Sequence, residues 1–348
     1  MTPRYGLASI SAAVRSRDDL LQRNWSARGI ADAVAKGTLE RLAAGRYLDG
    51  GMWRELWPDQ KLLARVLAVS GNPDLAGCFW RESAAVVHGL RLYRPPYDRA
   101  QLLLPGASTV RHSTFIARST DRVRDGEAGL LHGIPVTSLS RTVMDLARLA
   151  PLELALGALD HALELQFGKH RGVPNSPDVV EWLEGLRRDL LSGPRRRGVR
   201  RALRIVELAD AGSESVLETL GRLRFVQAGY RVSTQVPVVH PDGSVSYFDL
   251  GLDDLDILCE IDGRSKYLDE GLRGGKTAAE VVLAEKRRED KARGSTPKRV
   301  IRLMHEDLRT LDSFYAAARA YRLPPPPAAH RSSSRPLRID PVWNSQEI

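Results

Sequence analysis

Apolar and polar positions alternate along two runs, 247–252 and 255–262, on either side of the acidic pair Asp253-Asp254. Period-two alternation around a turn-forming pair predicts a β-hairpin. With the turn centred on that pair, Phe248 faces Cys259, Leu250 faces Ile257 and Leu252 faces Leu255, and Ile261 extends one apolar face. Tyr247, Asp249, Gly251, Asp256, Leu258, Glu260 and Asp262 fall on the other face. In this register Asp249 is opposite Leu258 and diagonal to Glu260, about 7–8 Å away. Glu260 and Asp262, two apart, point the same way from one strand.

The same patterning predicts the rest of the chain. Residues 17–22 and 27–35 read as helices, the second capped by Ser26, with Ile30, Ala33 and Val34 inward and Arg28 and Lys36 outward. Two short β-prone runs follow around Ala44-Gly45. Helical spacing returns at 60–69, and 78–90 reads as strand then helix, with Ser83 as cap and Gly89 as terminator. Strands are expected at 100–105, 113–117 and 133–138, followed by helices from 140, at 152–167, at 179–191 and at 202–209. A helix at 214–226 and a strand at 230–239 lead through the turn His240-Pro241-Asp242-Gly243 into the hairpin. A glycine-rich loop, a basic helix at 278–293 and a strand at 298–304 complete the pattern, and the Pro- and Ser-rich stretch from 324 reads as a disordered tail. The glycine loop does not have the spacing of a nucleotide-binding loop.

At 348 residues, with 43% hydrophobic and 27% charged, the chain is long enough for two or three domains with proper cores. Two cysteines exclude a disulfide framework, and eight scattered histidines without zinc-ligand spacing argue against a zinc enzyme. No secretory leader or membrane-length apolar run is visible, so a cytoplasmic protein with no membrane partner is expected. A net charge of +9 favours a polyanionic partner.

Charge gives the hairpin its chemistry. Three carboxylates on one sheet face repel unless something neutralises them, and hard divalent cations take such oxygens while sharing positions with water and phosphate. The simpler alternative is the solvated face of an amphipathic hairpin. An Asp, about ten residues to E-x-D-G at a strand end, and then a basic K-R-R-E-D helix resemble the Vsr-like branch of the PD-(D/E)XK nuclease superfamily. The run Ser213 to Glu218 resembles the start of that fold's first helix. The resemblance implies a restriction-endonuclease-like domain in which Asp249 and Glu260 hold Mg²⁺ or Mn²⁺, with Asp262 beside them and Glu218 as a helix-borne acid. Asp262 occupies the place of the superfamily's lysine and Phe248 that of its proline, so Lys266 or Lys286 is left to supply the cation. Arg287 and Arg288 are then expected on the nucleic-acid backbone.

The N-terminal layout, a helix ending in Lys36-Gly37 and a wing-sized pair of runs closing on Gly45-Arg46-Tyr47, resembles the winged helix of AbiEi-family antitoxins. S-A-A-V-V-H-G-L and V-T-S-L-S-R-T-V-M-D-L-A are similar to the middle region of those proteins. The resemblance implies DNA recognition by 27–36, with Arg28, Lys36, Arg41 and Arg46 as contacts. A small helical bundle with solvated basic residues is the alternative. Arg195, Arg196 and Arg197 form a basic run that either tracks a phosphate backbone or is a solvated linker. His88, Arg141 and Asp145 invite a catalytic reading, but Arg141 and Asp145 are four apart on one helix and read as an ion pair, and His88 as a packed or capping residue.

Together these readings give a multidomain α/β chain. The expected parts are a winged helix at 1–57, an α+β middle domain at 58–150, a helical connector with a basic linker at 151–205, a nuclease-like domain with a mixed sheet at 206–312, and a helical end with a disordered tail at 313–348. The expected function is that of a DNA-binding protein with a metal-dependent endonuclease domain. The alternative is an antitoxin-like transcriptional regulator with an inactive nuclease fold, whose partners are operator DNA or a toxin. The sequence is silent on oligomeric state.

Overall fold

The computed structural model describes residues 5–72, 75–104, 113–169, 171, 175–192, 197–262 and 294–326. The described residues form a mixed α/β protein with three sheets among them, and contacts separate the chain into two units, 2–162 with 188–205 and 163–187 with 206–348.

In the first unit, α1 (Leu7–Ala13), β1 (Arg15–Ser16), α2 (Arg17–Gln22), α3 (Ala27–Ala35), β2 (Leu39–Ala43), β3 (Arg46–Asp49) and α4 (Gly50–Glu55) come first. Local hydrogen bonds set the helix starts: Ser16 and Asp19 form a reciprocal capping box, and Ser26 Oγ accepts the Gly29 N–H at 2.9 Å. The strands pair antiparallel in the order β1-β3-β2. Leu20, Ile30, Ala33, Leu39 and Tyr47 form the core over this sheet.

After α5 (Pro58–Ser70) come β4 (Cys78–Phe79), α6 (Arg81–Val87), β5 (Ala100–Leu104), β6 (Ile116–Thr120), β7 (Ala128–Leu131), β8 (Ile134–Thr137) and α7 (Leu139–Leu149). Their sheet has the order β6-β5-β4-β8-β7, with β5–β6 and β4–β8 parallel and the outer β7–β8 pair antiparallel. Ser83 does not cap α6. Trp80 holds the cap position, and Ser83 is buried with its hydroxyl accepting the Gln101 N–H at 2.8 Å. The strand expected at 113–117 lies later, at β6, because Ala100 pairs with Ile116 and so fixes the register. α8 (Leu152–Phe167), α9 (Pro177–Ser192) and α10 (Val199–Glu207) follow.

The second unit is built on α11 (Val216–Gln227), β9 (Val232–Val239), β10 (Val245–Leu252), β11 (Ile257–Asp262), β12 (Arg299–Met304), α12 (His305–Leu308) and α13 (Leu311–Ala320). The sheet order is β12-β11-β10-β9, a meander of three antiparallel strands with β12 joined parallel to β11. α11 lies against the meander. Its Gly221 approaches so closely that an added Cβ would sit 2.7 Å from Ile261 and 3.3 Å from Leu250. Phe225 of the same helix meets the Phe314 ring edge-on at 4.8 Å, which fastens α13 to it.

The hairpin register differs from the expected one. Leu250 pairs with Cys259, Gly251 with Leu258 and Leu252 with Ile257. The turn takes in 253–256, and Leu255 belongs to it, its N–H donating to Leu252 O at 3.0 Å. A shift of two keeps each strand's faces, whereas a shift of one would invert them. The continuous apolar face, however, is interrupted. Phe248 packs with Val238 and Leu258, while Leu250 and Ile261 lie under Gly221 of α11. The alternation breaks at Asp249, across from Gln235, whose φ of 49° is a left-handed backbone that side chains other than glycine rarely adopt.

Candidate functional site

The shifted register rearranges the carboxylates. The paired register ends at Leu250–Cys259, and Asp249 meets β11 through its side chain, its Oδ2 accepting the N–H of Ile261, the residue after Glu260. On the other side of β11, Glu260 pairs with Arg302 of β12. On the other side of β10, the β9 register carried through its gap puts Gln235 across from Asp249. Gln235, Asp249, Glu260 and Arg302 thus form a row where the β10–β11 ladder ends, with Gln235 turned to Glu218 of α11 and Glu260, between Cys259 and Ile261, turned to the other face.

Neighbouring groups fix this row. Asp249 is buried, and its Oδ2 accepts the Ile261 N–H at 2.7 Å, so the carboxylate completes the ladder where the backbone leaves it. Glu218 on α11 is buried as well. Its Oε2 accepts from Gln235 Nε2 at 3.2 Å and from the Glu214 N–H at 2.9 Å. Asp262 pairs with Arg302, Oδ2 to Nη1, at 3.5 Å. Cys259 is fully buried beneath the row. Burial, and then the Asp249 and Glu260 carboxylates, hold its thiol well above the ordinary range, so it is no nucleophile.

The three expected metal ligands therefore part company. Asp249 is held by the Ile261 N–H, Glu260 stands beside Arg302 in the parallel ladder, and Asp262 is ion-paired with Arg302. Among the described residues no group of three or more His, Cys, Asp and Glu side chains could hold a metal ion. What remains is a pair of hard oxygen donors, the number Mg²⁺ commonly takes from protein when water and phosphate fill its other positions. Lys266, Lys286, Arg287, Arg288, Arg195 and Arg196, like the basic helix and the glycine loop, lie outside the described residues. Arg197 is exposed, and its carbonyl accepts from Arg148 Nε at 3.2 Å.

In the first unit, Arg28 and Lys36 are exposed at the two ends of α3. The Arg41 guanidinium lies over the Phe115 ring at 5.4 Å, and Arg46 Nη2 donates to Gly71 O at 2.8 Å. Arg141 is buried among Asp145, Asp121 and Glu127, and His88 Nε2 lies 2.8 Å from Thr137 O. These two hold the fold.

Two residues of the row escaped the sequence reading. Gln235 is the one amide in the run V-S-T-Q-V-P-V-V, and Arg302 the second of two cations in R-V-I-R-L-M. A polar residue isolated in a strand was the available signal. Its position in the row was not, because the β11–β12 pair is parallel and its register passes through a long connection.

No family model matches the chain, and no curated protein matches it. A crystal structure of the RV2827C protein from Mycobacterium tuberculosis is similar at 16% identity, over 64% of this chain and 83% of that one, with a TM-score of 0.31. Likeness at that level carries no argument about activity. Among the described residues, no helix is long and apolar enough to cross a membrane.

Proposed function

We propose that the 206–312 region is a nuclease-type domain of the PD-(D/E)XK kind, acting on DNA phosphodiesters with a divalent cation held by Asp249 and Glu260. The observation that supports this reading is the Ile261 N–H donating to Asp249 Oδ2 at 2.7 Å, which ties the Asp249 carboxylate to the β11 segment that bears Glu260. The succession of α11, three antiparallel strands and a parallel fourth supports it, since this is the core order of the fold the motif resembles. Mg²⁺ or Mn²⁺ bound there supplies a Lewis acid that draws charge from a phosphoryl oxygen and lowers the pKa of an attacking water. The chain's own part is positioning. The Ile261 N–H orients Asp249, Gln235 ties Glu218 to the sheet, and the buried floor around Cys259 keeps water from one side of the row. Lys266 or Lys286 would offset charge developing on the phosphate, and Arg287 and Arg288 would hold backbone.

The N-terminal elements support DNA binding by an AbiEi-like winged helix at 1–57, with α3 presenting Arg28 and Lys36. The middle region, connector and tail follow at 58–150, 151–205 and 313–348. A second reading, a DNA-binding regulator with operator DNA or a toxin as partner and a silent nuclease fold, is favoured by one observation: Asp262, in the lysine's place, is paired with Arg302. Incubating the full chain with supercoiled plasmid and Mg²⁺ or Mn²⁺ separates the two. Nicking that disappears with EDTA and in Asp249→Ala supports the enzyme. Operator binding with no cleavage of DNA or RNA supports the regulator.

A further inference from the structure

The row ends in a cation that the motif does not contain. Arg302 comes from β12, is paired in register with Glu260, and its guanidinium reaches Asp262, the second acid of the E-x-D motif, at 3.5 Å. About a third of its side chain stays open to solvent, at 32%, whereas the Asp262 side chain is 9% exposed. The parallel ladder from Ile257–Arg299 to Asp262–Met304 holds its backbone, and the Tyr321 hydroxyl donates to its carbonyl. A guanidinium is always charged and offers a planar fork of donors matched to phosphate oxygens.

We propose that Arg302 is the phosphate-binding cation of this site, a guanidinium delivered from the last strand where the motif has lost its lysine. The inference rests on the nuclease reading for its catalytic part, and adds that the ligand of this row is a nucleic-acid phosphate. Arg302 contacts a non-bridging oxygen of the phosphodiester beside the Asp249–Glu260 pair. Asp262 orients the guanidinium.

Two readouts test this on the full chain. One is the binding of a fluorescein-labelled random-sequence duplex, measured by anisotropy in Ca²⁺ over a series of salt concentrations. The other is plasmid nicking in Mg²⁺. Arg302→Gln should lower the log–log salt slope by about 0.9, the value of one phosphate contact, and slow nicking about a hundredfold. Arg302→Lys should keep the slope and restore part of the nicking. If Arg302→Gln does not fold, the double variant Arg302→Leu with Asp262→Leu replaces the ion pair by apolar side chains and should show the same lowered slope.

An unchanged slope overturns the proposal, and it does so even if nicking falls, because Arg302 would then only hold Asp262 in place. A lowered slope in a wild-type protein that cuts nothing keeps Arg302 as a phosphate contact and removes the nuclease reading instead. Nicking and slope both unchanged in Arg302→Gln leave the nuclease reading standing without Arg302.

Discussion

Replacing Arg141 with methionine tests whether a buried charge bonded to three carboxylates holds the fold of the first unit. The guanidinium donates to Asp145 at 2.7 Å, Asp121 at 2.8 Å, Glu127 at 2.5 Å and the Arg122 carbonyl at 3.1 Å. Arg141 and Asp145 side chains are each 1% exposed. Burial opposes the charge on Arg141, yet the three carboxylates outweigh it and hold the group more firmly protonated than a free arginine. In Arg141→Met, Asp145 keeps Arg148 at 2.8 Å but loses its main partner while remaining buried. Breaking a buried pair from one side costs about 3–5 kcal/mol, and the retained Arg148 puts this case near 3. For a unit of this size that lowers Tm by roughly 6–12 °C. Urea and thermal unfolding measure it directly. Adding Asp145→Leu removes the stranded charge and should recover part of the loss. A single-variant cost below about 1 kcal/mol would refute the structural reading and reopen a catalytic one for Arg141.

Glu214 meets both Arg171 and Lys169, the latter at 2.7 Å, and the hydrogen bond from Arg171 leads in lowering its pKa from 4.5 to about 2. A depressed carboxylate pKa stabilises the fold above the unfolded value and loses that contribution as pH falls through the folded one. Wild type should therefore lose about 1 kcal/mol between pH 4.5 and about 2, a figure discounted for partners about half exposed, and Glu214→Gln should not. Equal acid profiles for the two proteins would count against the pairing. At Gly77, φ is +92° and a Cβ would lie 2.2 Å from the Leu103 carbonyl oxygen, so Gly77→Ala should cost more than about 2 kcal/mol. Gly133, at φ +75° with open space, should lose only about 1 in the same substitution. Unfolding midpoints that fail to separate the two glycines would show that the β4–β5 contact is looser than described.

Elements set by local chemistry were legible. Ser16 with Asp19 and Ser26 with Gly29 mark where α2 and α3 begin, and those bounds needed nothing beyond the residues themselves. The apolar run of α8 was equally direct. The hairpin strands were legible too, but their register was not. Leu255 reads as a strand residue by hydropathy, yet the turn consumes it. Ser83 has a cap's composition, yet from inside α6 its hydroxyl accepts the N–H of Gln101 on β5. The break at Asp249 depends on Gln235 reaching Glu218, an interaction 17 positions apart that no alternation pattern carries. The candidate site was accordingly half legible. Asp249 and Glu260 follow from spacing, but the division of Asp262 from them and the arrival of Arg302 depend on which residues of β12 stand beside β11.

The central claim is that Asp249 and Glu260, without Asp262, hold one divalent cation. Titrating Mn²⁺ into the full chain and following the free ion by electron paramagnetic resonance tests it without requiring turnover. The account predicts one bound ion in wild type and in Asp262→Asn, and its loss in Asp249→Asn and in Glu260→Gln. Binding that survives in both of the latter, or that vanishes in Asp262→Asn, would contradict it.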